Sequence, residues 1–145
     1  MLPDPLRSLA DYELFLYSLP DTFPCIDRSS LVLVRRGATL ARVAGEVHFA
    51  QQVRLVVRER LVFDRLPGQI EGYGYELWRG GEKVFWYDSQ PNPQDPLLQA
   101  THPHHKHVPP GIKHNRIPAP EMSFQRPNLP VLIREIEELL AALEE

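Results

Sequence analysis

Read for the alternation of apolar and polar positions, the chain divides into a helical start, a long run of strands and a helical end. Leu6, Leu9, Ala10, Leu14 and Tyr17 recur at helical spacing. Asp4 can cap that helix, with Pro5 at its first position, where a missing N–H costs little, and Pro20 closes it. Asp21 to Ser30, with Pro24, reads as a connecting loop. From Leu31 the period drops to two. LVLVRR, LARVAGEVHF, VRLVVRERLVF, IEGYGYELW and KVFWYD follow one another, with turn signals at Gly37-Ala38, Leu66-Pro67-Gly68 and Gly80-Gly81-Glu82. Such short connections join antiparallel neighbours, so five strands in a meander are expected. Along the third, Val53, Leu55, Val57, Leu61 and Phe63 share one face while Arg54, Arg58 and Arg60 take the other.

Between Pro91 and Pro130 lie 10 of the 15 prolines. Proline lacks a ladder donor and breaks helices, so this stretch is expected to be irregular. It ends in a strong amphipathic helix. Leu129, Leu132, Ile133, Ile136, Leu139, Leu140 and Leu143 fall on one face, and Asn128 can cap it. The 145 residues suit one domain, 1–145. The fold class expected is α+β: a curved antiparallel β-sheet of about five strands packs its apolar face on the N- and C-terminal helices, with the proline- and histidine-rich segment before the last helix.

Charge changes the picture. The net −3 conceals a basic middle, with 13 Lys/Arg against 8 Asp/Glu from Arg28 to Arg116. The last helix carries Glu135, Glu137, Glu138, Glu144 and Glu145 against Arg134. Such a basic middle suits a polyanion, and the acidic helix and open strand edges could support a homodimer. No stretch is apolar for the roughly 18 residues of a membrane span. The first residues, MLPDPLRSLADYELF, carry acids where a signal peptide needs a basic start, so a cytoplasmic location is expected. Cys25 stands alone, which excludes an internal disulfide and a cysteine-paired zinc site, and reads as a small core residue.

The candidate chemistry is histidine. THPHHKHVPPGIKHN, from Thr101 to Asn115, holds His102, His104, His105, His107 and His114, five of the six in the chain. Imidazole exchanges a proton near neutrality. Cutting RNA needs a base for the 2′-OH, an acid for the leaving oxygen and cations for the phosphate. Here His104, His105 and His107 can supply the proton transfers, Lys106 and Arg58 the phosphate contacts, and Asp88 an orienting carboxylate. Lys113 and His114 lie close by as further substrate contacts. Tyr73, Tyr75 and Tyr87, with the arginines, could make a basic aromatic face on which single-stranded bases stack. Other uses of the same residues stay open. His105 and His107 project to one side of an extended backbone, with His102 and His104 near, and such i, i+2 pairs can hold zinc or a similar divalent metal. The tract could also be a surface loop that contacts a partner. No glycine-rich phosphate loop, nucleophile elbow or carboxylate pair is present.

Tyr73-Gly74-Tyr75, the strand ending Tyr87-Asp88 and the HPHHKH run together resemble the TumE-type toxins of bacterial toxin–antitoxin modules. The longer form HPHHKHVPPGIKHNRIPAPEMSF is similar to a branch common in cyanobacteria. The likeness covers roughly Leu31 to the C-terminus. Where the family's usual form continues with Asn and a His-His pair, this chain has Ser89, Gln90, Pro91, Asn92 and Pro93. The resemblance implies a small toxin neutralised by a cognate antitoxin, often a helix-turn-helix protein. Joined to the histidines, it leads to the expectation of a metal-independent endoribonuclease needing no cofactor. The alternative is a non-enzymatic or metal-binding interaction module.

Overall fold

The computed structural model describes residues 4–144. Asp4 caps a 3-10 turn, Pro5–Arg7, by accepting from the Leu6 N–H at 2.9 Å. The chain then straightens at Ser8, whose hydroxyl accepts from the Asp11 N–H and opens helix α1, Leu9–Tyr17. A second short helix, α2, spans Leu19–Thr22 and holds Pro20 in its first turn. The single helix expected up to Pro20 is therefore three pieces, with a competing cap at Ser8 for the first break and Ser18 at the second.

Eight strands follow: β1 Ile26–Ser29, β2 Val32–Arg36, β3 Leu40–Phe49, β4 Val53–Val62, β5 Gln69–Arg79, β6 Glu82–Asp88, β7 His105–His107 and β8 Arg116–Pro118. All pairings are antiparallel. β1 and β2 both pair with β3, at opposite ends of it, and the sheet then runs β3-β4-β5-β6-β7-β8. The five expected strands are β2 to β6. β1 comes from the segment read as a loop, and β7 and β8 from the tract read as irregular. The unpaired edge of β6 supplies partners for three residues of that tract, and Pro118 sits in the outermost strand, where no donor is missed.

One face of the sheet, here the inner face, carries the core. Leu9, Tyr12 and Leu16 of α1 pack on it, as do Leu129, Leu132, Ile133, Ile136 and Leu140 of α3, Leu129–Leu143. Asn128 precedes α3 without capping it. Its side chain is drawn away, accepting from the Ser123 N–H at 2.9 Å and donating to the Tyr75 hydroxyl at 3.2 Å. Cys25 is half-buried against the core rather than enclosed by it. Among the described residues no helix is long and apolar enough to cross a membrane.

Candidate active site

Register decides which side chains share a face. Arg58 stands opposite Gly74, and Arg60 opposite Gly72. On the other side Arg58 pairs with Ala44 and Arg60 with Arg42. Gly74 in turn faces Asp88, and Asp88 faces His105. Opposed residues of neighbouring strands point the same way. The outer face therefore carries a row Ala44, Arg58, Gly74, Asp88, His105, with Arg42, Arg60 and Gly72 beside it.

The glycines make this a cleft. A β-carbon at Gly72 would lie 2.3 Å from an Arg60 guanidinium nitrogen, and one at Gly74 would lie 3.3 Å from that of Arg58. Without side chains there, both guanidinium groups lie down over β5. A β-bulge at Glu71 adds a residue opposite Arg60–Leu61. The result is a cleft of about 750 Å³ whose lining includes Arg42, Arg58, Arg60, Gly72, Gly74 and Asp88. Pro103 lines it as well, and the Pro103 carbonyl accepts from His105 Nδ1 at 3.1 Å.

At this end His105 and His107 meet, with Nε2 to Nε2 at 3.2 Å. His107 Nδ1 donates to the Ile112 carbonyl at 2.9 Å. Its ring lies flat on Trp86, centroids 3.7 Å apart. Lys83 sits on Trp86 at 4.5 Å and within 5.3 Å of Trp78, which Arg54 covers from 5.1 Å. A ladder of cations and indoles thus braces the imidazole from the outer face. Burial lowers the His107 pKa, and the Ile112 hydrogen bond offsets part of that. The carboxylate oxygen of Asp88 and both imidazoles offer ligand atoms within 4.8 Å of one another, a set that could hold a metal ion.

The structure divides the other predicted site residues between places. Tyr73 and Tyr75 alternate with the glycines and so point to the inner face, opposite to Arg58. Tyr75 is fully buried, donating to Glu59, and Tyr73 stacks on it at 4.8 Å. Neither ring shares the face of the arginines, although Tyr73 also borders the cleft. The aromatic members of the basic face are Trp78 and Trp86, which the sequence pattern did not single out. His104 also turns inward: its Nδ1 meets the Tyr73 hydroxyl at 2.8 Å, and its ring packs on Phe124. Burial lowers its pKa, with nearby Arg126 adding to the shift. It is therefore on the opposite side of the strand from His105 and His107, and the expected three-histidine group is a pair.

Lys106 points inward too. Its ammonium donates to Glu135 of α3 at 2.7 Å, beside the Tyr87 hydroxyl, which donates to the other Glu135 oxygen at 2.8 Å. That geometry docks β6 and β7 on α3 and takes Lys106 and Tyr87 away from the cleft. His102 is exposed after a 3-10 turn, Pro96–Thr101, and Lys113 and His114 are exposed on the turn between β7 and β8. Of the predicted residues, Arg58, Asp88, His105 and His107 converge. Arg42, Arg60, Gly72 and Gly74 complete the cleft, and a Gly-Tyr-Gly facing an Arg-Glu-Arg was the available signal.

The family model described as toxin TumE matches residues 16–140. No curated protein and no solved structure matches the chain.

Proposed function

Because the chain belongs to the TumE toxin family, and is thereby the toxin component of a toxin–antitoxin system with an antitoxin as partner, we propose that it poisons by binding and cutting RNA. The reading rests on one observation, the cleft in which Arg42, Arg58 and Arg60 lie across a glycine floor. Three guanidinium groups in one groove match the spaced charges of a phosphodiester backbone, and Arg58 keeps 69% of its side chain in solvent. Asp88, which lines that groove, stands beside the buried His105 and His107, so side chains able to serve the reaction, as proton carriers or as ligands of an ion, adjoin one end of it. Strand scission belongs at that end. The phosphate would be held by the arginines, and the 2′-OH and the leaving oxygen would lie toward Asp88 and the imidazoles.

Induced expression of the wild type is expected to arrest bacterial growth and shorten cellular RNA, and Arg58→Ala/Arg60→Ala is expected to do neither at equal expression. Arrest without RNA shortening, or undiminished arrest by the double variant, would overturn this function.

A further inference from the structure

We propose that Asp88, His105 and His107 bind one divalent transition-metal ion of the zinc class. Each imidazole has its Nδ1 beside a backbone carbonyl, Pro103 for His105 and Ile112 for His107. A carbonyl oxygen only accepts, so both rings carry their proton on Nδ1 and present a lone pair on Nε2. Those two lone pairs face each other at 3.2 Å. Two acceptors that close repel unless an electropositive centre is shared between them.

The spacing of the two nitrogens admits a metal ion, and two further observations favour one over a shared proton. Two metal–nitrogen bonds of about 2.0–2.1 Å at a tetrahedral angle place their nitrogens about 3.3–3.4 Å apart. The 3.2 Å found is close to that span. A carboxylate oxygen of Asp88 lies within 4.8 Å of both rings. Its Oδ1 accepts from the Gln90 N–H at 2.8 Å, which orients the group. And the rings are held from behind as metal-bound imidazoles are, by carbonyls on Nδ1 and by Trp86 under His107.

The donor set selects the ion. Two imidazoles and one carboxylate suit Zn²⁺, Co²⁺, Ni²⁺ or Cu²⁺ and offer too few oxygens for Ca²⁺ or Mg²⁺. Three protein ligands are the number typical of catalytic zinc sites, where a fourth position is left for water or substrate. Arg116 stands opposite His107 in the neighbouring strand and donates to Asn92 at 2.6 Å.

The test uses the full chain purified without a metal-affinity column, stripped with chelator and titrated with zinc sulfate by calorimetry. One equivalent is expected to bind. His105→Ala and His107→Ala should each weaken binding by about 100-fold or more, at least the effect of losing an outer-shell partner. His102→Ala/His114→Ala, which removes exposed histidines, should bind as the wild type does. Should the histidine variants fail to fold, Asp88→Asn serves instead: it keeps the contact with Gln90 and should both weaken zinc and alter the visible spectrum of the cobalt-substituted protein. Absence of zinc binding by the wild type, undiminished binding by the Asp88 and histidine variants, or loss of binding in the His102/His114 variant would overturn the site. No RNA enters the measurement, so its outcome and that of the nuclease reading are separate.

Discussion

Glu59 is a carboxylate in an aliphatic core, 2% exposed, with the hydroxyls of Tyr12 and Tyr75 donating to its two oxygens. Burial raises its pKa, and the two tyrosines oppose part of that rise. The folded chain thus holds the Glu59 proton more tightly than the unfolded chain does. Its contribution to stability is complete below the ordinary glutamate value near 4.5 and is lost as pH rises through the raised folded value. Urea unfolding of the wild type and Glu59→Gln across that interval should therefore show the variant gaining on the wild type as pH increases. A constant difference would refute the linkage. Glu59→Ala should cost roughly 2–5 kcal/mol, since it strands two buried hydroxyls and leaves a cavity. Alternation along β4 placed residue 59 on the apolar face, yet no local pattern named its partners, which arrive from α1 and β5.

Among the elements, the β3–β4 hairpin is closed by residues unsuited to it. Gln51 and Gln52 both take left-handed backbone angles, φ 62° and 64°, and the Val53 N–H returns to the Ala50 carbonyl at 3.2 Å. This is the two-residue turn that Asn-Gly favours, and side chains beyond Gly, Asn and Asp are strained in it. Replacing Gln51-Gln52 with Asn-Gly should stabilise the chain by about 1 kcal/mol, read as a higher midpoint in thermal unfolding. Because the pair carries no turn signature, the turn was legible only as the gap between two strand patterns. The C-terminal helix was the opposite case: its seven-residue apolar face includes all five of the buried residues of α3. The short strands β7 and β8 were not legible, since three residues between prolines hold no periodicity and gain order only by pairing, β7 with the edge of β6 and β8 with β7.

At the scale of the whole molecule, the sheet separates a helix-covered face from a cationic one, and binding should follow the second. If three arginines contact phosphates, the logarithm of affinity for single-stranded RNA should fall with the logarithm of salt at a slope of about −2. Arg58→Ala should reduce that slope by about 0.7, and fluorescence anisotropy over a salt series measures both. A slope near zero would mean that the cleft does not meet a phosphate backbone. Composition had already indicated the basic middle, and the period of two had already set Arg58 and Arg60 on the face away from the core. The amino-acid order by itself thus determined the α+β class, the helical ends, the central strands and the outward arginines, because each follows from a repeat within one segment. Only the tertiary structure decided that Tyr73, Tyr75, His104 and Lys106 turn to the core face while Asp88 and the buried His105 and His107 gather on the other side of the sheet. That choice depends on register between strands far apart in the chain, and a slip of one residue reverses every side chain.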